Sequence, residues 1–179
     1  MKKISIIIIT LLVSFCANAQ GHMKFMGIPM GISISSFQTK LSAKGVKYDP
    51  ASRQLKDAVK MYKGKFAGYD ARIYVYYDSK TKLVYRGKAC IERSAEELAD
   101  MLMLDIASML SQKYGIDHMY YSEEDEEYVM LSDEGRIDLY KSKEDADYFI
   151  YIEDYYTIHI DYYDDAAQDQ NKKSRMDDL

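Results

Sequence analysis

The sequence is poor in cysteine, with only Cys16 and Cys90 in 179 residues. Cys16 falls in a segment that reads as a cleavable signal, so the mature chain would keep Cys90 alone. A single cysteine excludes an intramolecular disulfide. The mature chain is long enough for one domain with a real core and needs no such cross-link. We interpret Cys90 as a small buried apolar residue, with a reactive or intermolecularly paired thiol as the alternative.

Motifs for common catalytic chemistry are also missing. There is no G-x-x-x-x-G-K-S/T loop for phosphate and no G-x-S-x-G turn for a nucleophilic serine. His22, His118 and His159 are scattered without metal-ligand spacing. The acidic run 123–127 lacks the alternating ligands and central glycine of an EF-hand, which favours a solvated turn. We therefore predict no catalytic residue, no metal and no cofactor.

The N-terminus has the three parts of a secretory signal peptide. Lys2 and Lys3 precede an apolar segment, 4–15, and Ala17-Asn18-Ala19 forms a small-x-small cleavage site. We therefore assign residues 1–19 to the signal and predict an exported protein, periplasmic or extracellular. An uncleaved anchor is the alternative, although the apolar run is short for a membrane span. Lipidation at Cys16 is a second alternative, which the bulky residue before it disfavours. We expect no transmembrane segment after cleavage.

The remaining chain predicts a single α+β domain, 20–165, followed by a polar, disordered tail, 166–179. We expect a twisted antiparallel sheet with two helices packed on one face. Helix plus strands occurs twice along the chain, which suggests a duplicated unit. The predicted strands are 24–28, 57–66, 69–77, 82–92, 117–122, 127–132, 136–140 and 148–163, the last split into a hairpin near 153–155.

Both helices carry end signals. Ser33 suits an N-cap, and Gly45 suits the left-handed residue that ends the first helix. Ser94-Ala95-Glu96-Glu97 predicts a capping box for the second helix. That helix is rich in apolar side chains, so we expect it to be largely buried, with Leu102 deep beneath the sheet.

Charge is unevenly distributed. Residues 20–116 contain 16 Lys+Arg and 9 Asp+Glu, whereas residues 117–169 contain 3 Lys+Arg and 18 Asp+Glu. The difference is +7 for the first segment and −15 for the second. An exported chain with a net acidic charge is a poor candidate for nucleic-acid binding. The two halves either attract each other across one sheet or form a bipolar surface for a partner.

Tyrosine is abundant, with eighteen residues and no tryptophan. Strand alternation places many of them, together with basic side chains, on the side of the sheet that the helices leave uncovered. Tyrosine offers a large contact area and a polar tip at small entropic cost, so it recurs in binding surfaces; it also suits partly exposed strands in general. The predicted binding residues are Arg72, Tyr74, Tyr76, Arg86, Lys88, Tyr140, Phe149, Tyr151, His159 and Tyr163. Cys90 and His159 share this side, but a lone cysteine and histidine recur by chance, so we do not interpret them as a catalytic pair.

Several short segments resemble a group of uncharacterised exported proteins of Bacteroides-type bacteria. They are Met26-Gly27-Ile28-Pro29, Phe37, Leu41, Lys44-Gly45, Gly64-Lys65-Phe66-Ala67-Gly68 and Lys113-Tyr114-Gly115. The order of elements is also similar to the beta-lactamase inhibitor protein-like fold, in which two helix–sheet units form one curved sheet. The second resemblance implies protein binding through an open sheet face, although a shared fold does not transfer function.

The sequence thus predicts a binding module for a protein, peptide or carbohydrate, acting through a tyrosine-rich sheet face. Two other classes stay open. A hydrolase of the envelope would use two close carboxylates in a deep pocket. A passive structural protein of the envelope would show neither such a pocket nor an aromatic binding face.

Overall fold

The computed structural model describes residues 21–55, 58–144 and 155–176. The predicted signal peptide lies outside the described residues, as do Phe149 and Tyr151. Within the described residues, no helix combines the length and the apolar character that crossing a membrane requires.

The fold is α+β, as predicted, and is built on one eight-stranded antiparallel sheet. Its strand order is β3-β4-β5-β6-β10-β9-β8-β7, and β1 pairs only with β2 in a separate hairpin. The basic and acidic parts of the chain therefore join in mid-sheet, where β6 pairs with β10. The strands are β1 Lys24–Phe25, β2 Ile28–Pro29, β3 Lys47–Tyr48, β4 Val59–Phe66, β5 Tyr69–Tyr77, β6 Val84–Arg93, β7 Met119–Ser122, β8 Glu127–Ser132, β9 Gly135–Glu144 and β10 Tyr155–Asp164. The helices are α1 Ile34–Ala43, α2 Glu96–Tyr114 and α3 Asp165–Met176, with short 3-10 turns at Pro50–Gln54 and Ile116–His118.

Helix α1 has the predicted ends. The Ser33 hydroxyl accepts a hydrogen bond from the Ser36 amide and caps the N-terminus. At the other end Gly45 has a φ of +80°, and the Val46 amide donates to the Leu41 carbonyl, which completes a Schellman ending. Local sequence signals therefore determine where α1 begins and ends.

Helix α2 departs from the prediction at its start and on its surface. The predicted capping box is wrong: the N-cap residue is Ala95, and no side chain of the described residues caps the helix. Glu96 and Glu97 still occupy the first turn, where carboxylates favour the helix dipole. Leu102 is buried as predicted, but Leu98 is 49% exposed and Met101 67% exposed. The buried stripe is therefore narrower than the apolar composition suggested.

Helix α3 covers most of the segment 166–179 that was predicted to be a disordered tail, so that prediction is wrong for residues 166–176. The Asp164 carboxylate accepts a 2.6 Å hydrogen bond from the Ala167 amide and caps the helix. Ala167 and Asn171 are buried, and Arg175 pairs with the buried carboxylate of Asp78 at 2.7 Å. Besides this local cap, the helix is held by Asp78, which is distant in sequence and which the polar composition of the helix does not reveal.

The core lies on one side of the sheet. Helices α1 and α2 contribute Phe37, Leu41, Leu102 and Ile106 to a single cluster. The sheet contributes alternate residues of its central strands: Ile73, Val75, Ala89, Ile91, Leu139, Ile158 and Ile160. The opposite side of these four strands is called the open face below.

Candidate functional site

The open face is an ordered grid, because strand register aligns side chains on neighbouring strands. Arg72, Cys90, His159 and Tyr140 form one row across β5, β6, β10 and β9. The next row is Tyr74, Lys88, Asp161 and Asp138, and the third is Tyr76, Arg86, Tyr163 and Arg136. Eight of the ten predicted binding residues therefore share this face and are partly buried; Phe149 and Tyr151 lie outside the described residues.

One half of the open face is occupied by ion pairs. The Arg86 guanidinium binds both carboxylate oxygens of Asp161, and its Nε–Oδ1 distance is 2.8 Å. It also lies 4.5 Å from the ring centroid of Tyr76 and 4.9 Å from that of Tyr163. Asp161 has no exposed surface. The hydrogen bond to Asp161 raises the pKa of Arg86, although burial opposes this. Arg86 was predicted as a binding residue, and its guanidinium is committed to an internal contact.

Asp138 lies beside Asp161 in register and pairs with Arg136, which also binds Glu127 at 3.0 Å. Burial raises the pKa of Asp138, and the Arg136 contact opposes that rise. Each of the two neighbouring carboxylates thus has its own arginine. This arrangement stabilises charge that would otherwise be buried alone.

The other half of the open face forms a pocket of about 270 Å³. In the described part of the chain its walls come from β5, β6 and β10, and none of these lining residues belongs to a helix. The lining residues are Arg72, Tyr74, Tyr76, Lys88, Cys90, Tyr155, Thr157 and His159. We call this the grid pocket.

The grid pocket is cationic. The Lys88 ammonium donates a 2.7 Å hydrogen bond to the Tyr140 hydroxyl, an uncharged partner. Burial lowers the pKa of Lys88, but this hydrogen bond and nearby groups outweigh the effect and raise it, so the side chain is charged at neutral pH. Arg72 pairs with the partly exposed carboxylate of Glu92.

Two polar atoms of the pocket residues have unused hydrogen-bonding capacity. The Arg72 Nε and the Thr157 Oγ1 are both buried and have no hydrogen-bond partner among the described residues. Such groups are rare in folded proteins, because each costs desolvation energy that no partner repays. Thr157 and Tyr155 were not predicted. They have the same parity as His159 in β10, so strand alternation alone could have identified them.

Cys90 and His159 are close, but both are in the neutral form at pH 7. The Cys90 Sγ lies 3.3 Å from His159 Nδ1, and the Ser142 hydroxyl lies 2.7 Å from Nε2. Burial, followed by the charges of Lys88 and Arg72, lowers the pKa of His159 to about 4. Burial raises the pKa of Cys90 to about 11. A cysteine nucleophile needs a depressed thiol pKa. This pair is close enough for a catalytic dyad, but its surroundings raise the thiol pKa and lower the imidazole pKa, which disfavours the thiolate–imidazolium form.

Comparisons of this chain with protein-family models, with curated proteins and with solved structures found no significant match. In the described part of the chain, no three His, Cys, Asp or Glu side chains come together in a way that could hold a metal ion. Function therefore has to be inferred from the chemistry of the open face itself.

Proposed function

We propose that the protein is an exported binding module whose site is the grid pocket and the tyrosines around it. The observation that carries this proposal is the pair of unpartnered buried polar atoms, on Arg72 and Thr157, in residues that line a cationic pocket. A partner that presents carboxylate, carbonyl or hydroxyl oxygens would complement Arg72 and Lys88. A protein, a peptide or a carbohydrate carries such oxygens.

The aromatic side chains supply the contact area. Tyr74 and Tyr76 lie on β5 and Tyr155 lies on β10, so they flank the two cations. Burial raises the pKa of Tyr74 and of Tyr76, which keeps both hydroxyls protonated and able to donate hydrogen bonds. Tyrosine and arginine are the residue types that most often dominate binding energy at interfaces.

The main alternative, a hydrolase that uses carboxylates on this face, receives less support. Asp138 and Asp161 are the neighbouring pair, but each is bound by an arginine and Asp161 has no exposed surface. A general acid and a nucleophile must both reach the substrate.

The test is binding of a partner captured from envelope extract to the mature chain and to single variants. Tyr74→Ala should weaken binding by about 1–2 kcal/mol or more, as expected for an anchor residue. Lys88→Gln should also weaken binding, and the loss relative to the unchanged protein should grow as salt is lowered, because the charge of Lys88 speeds association most when it is least screened.

Tyr120→Ala is the matched control, because Tyr120 is 50% exposed and lies on β7 at the far edge of the sheet. Thermal melts of all variants check the fold. Equal affinity of the Tyr74 variant and the Tyr120 variant, with intact melts, would remove the site from the grid pocket.

A further inference from the structure

A second cavity lies at the end of α2, on the side of the sheet that faces the helices. Its volume is about 380 Å³, within the range of small-molecule sites. Phe66, Ile106, Leu110 and Tyr162 form an apolar floor, and Met109 extends it at the surface. Three lysines, Lys44, Lys65 and Lys113, also line the cavity. We call it the lysine groove.

The groove is assembled from segments that are far apart in sequence. Lys44 is the C-cap residue of α1, Lys113 lies in the last turn of α2, and Lys65 is the penultimate residue of β4. The short segments singled out in the sequence around residues 26–27, 44, 65–67 and 113 all supply lining residues. No periodic pattern along the chain places them together, and only the fold does.

Two strained turns border the groove. Met26-Gly27 connects β1 to β2 with φ angles of 54° and 73°, and Ala67-Gly68 connects β4 to β5 with φ angles of 50° and 88°. Hairpin turns of this kind favour asparagine or aspartate before the glycine, since other side chains pay a steric cost there. Among the described residues, four non-glycine residues have positive φ, and Met26 and Ala67 both line this groove. Backbone strain of this sort concentrates at functional sites.

The groove carries positive charge. Its described lining residues include three lysines and no carboxylate. Lys113 donates to the uncharged Tyr114 hydroxyl at 2.8 Å. The Lys44 ammonium lies against the Met26-Gly27 turn, 3.7 Å from where a Cβ on Gly27 would stand. Lys65 has a surface partner, Asp70, at 3.3 Å, whose side chain is 92% exposed. Such an exposed pair contributes little and is easily replaced.

We propose that the lysine groove binds an anionic amphiphile, that is, an apolar chain that ends in a carboxylate or phosphate. The apolar floor takes the chain and the three ammonium groups take the head. Free inorganic phosphate would leave the floor uncovered, and a cationic amphiphile would meet three like charges. This site is separate from the grid pocket, because its floor includes Tyr162, which points to the opposite side of β10 from Asp161 and Tyr163.

The test is calorimetric titration of the mature chain with dodecanoate and with dodecyl phosphate, both below their micelle concentrations. Both should bind, dodecyltrimethylammonium should bind at least about tenfold more weakly, and inorganic phosphate should not bind. Shortening dodecanoate towards octanoate should weaken binding by roughly fourfold for each methylene that leaves the floor. The two head groups separate a free fatty acid from a phospholipid-like ligand as the source.

The variant Lys44→Gln/Lys65→Gln/Lys113→Gln should lose at least about tenfold in dodecanoate affinity. The matched control, Lys24→Gln/Lys40→Gln/Lys172→Gln, makes the same change in net charge at three exposed sites and should bind as before. If the groove variant does not fold, the head-group and chain-length series on the unchanged protein still decides. Equal binding of anionic and cationic amphiphiles would overturn the proposal. So would a folded groove variant with unchanged affinity, or tight binding of a neutral apolar peptide that is insensitive to the three lysines.

Discussion

His159 lies at the centre of the open face, where burial decides which of its protonation states the fold accepts. Its ring stacks on Tyr140 with centroids 4.6 Å apart, and both ring nitrogens have neighbours, Cys90 and Ser142. Lys88 and Arg72 add positive charge nearby, so an imidazolium would be repelled as well as desolvated. The ring therefore acts as a neutral hydrogen-bonding spacer between β6, β9 and β10, and a proton on it works against folding.

The pH dependence of stability should show this. The pKa of His159 is about 4 in the folded protein, whereas histidine ordinarily has a pKa of about 6.5. Because the folded pKa is the lower one, the stability that His159 contributes is complete above about pH 6.5 and is lost as the pH falls towards 4. The ring is partly exposed, so we expect a loss of about 1–2 kcal/mol, less than the full shift would give. Urea unfolding at pH 7.5 and pH 4.0 measures it.

His159→Gln is the comparison variant, because it removes the titration and keeps a polar side chain. Carboxylates with shifted pKa values, such as Asp78 and Asp138, are common to both proteins. The loss between the two pH values should therefore be smaller in the variant by that same amount. An identical loss in both proteins would show that His159 titrates normally in the fold.

At the scale of elements, α2 shows that the apolar composition of a helix does not by itself determine which of its residues are buried. Apolar residues lie on nearly every side of the helix, but the sheet covers only one stripe of it. Leu102 is 3% exposed and its neighbour Met101 is 67% exposed. The helix contacts β10, β9 and β6, so the covered stripe faces the centre of the sheet.

Leu102→Ala should reduce the free energy of unfolding by about 2–5 kcal/mol, because it opens a cavity under the sheet. Met101→Ala, one position earlier in the same helix, should change it by no more than about 0.5 kcal/mol. Urea denaturation of both variants measures the contrast. Similar losses in the two would mean that propensity within the helix, rather than packing, determines its stability.

The elements that could be predicted from sequence are those with local signals. Helix α1 carries its own cap and terminator, and β5 and β6 carry clean alternation, which also placed Arg72, Tyr74 and Lys88 on one face. Helix α3 has an N-cap candidate in Asp164, but its polar sequence shows no apolar stripe, and its Arg175–Asp78 contact forms only through the fold. The lysine groove could not be predicted at all, since its residues converge only through the fold. Exposure within α2 likewise depends on where the sheet ends.

At the scale of the whole molecule, the opposite charges of the two chain segments meet inside the sheet. Arg86 on β6 belongs to the basic segment and Asp161 on β10 to the acidic one, and they lie in adjacent rows of the open face. Lys141 on β9 forms a second link of the same kind, in the reverse sense, to Glu96 and Asp100 of α2. In the Arg86–Asp161 pair the uneven charge distribution joins the two segments, which is one of the two interpretations that the sequence left open, whereas the Lys141 link joins them with the opposite distribution of charge.

The Arg86–Asp161 pair should be costly to break from one side only. Arg86→Met should lower the free energy of unfolding by about 3–5 kcal/mol, because it leaves the carboxylate of Asp161 buried without its partner. Adding Asp161→Val should restore most of this loss, since apolar side chains of similar size often replace a buried ion pair without penalty. Urea unfolding of the two single variants and the double variant gives the coupling between the sites. If the double variant is as unstable as Arg86→Met alone, then the contacts of the Arg86 guanidinium with Tyr76 and Tyr163, rather than neutralisation of Asp161, hold β6 against β10.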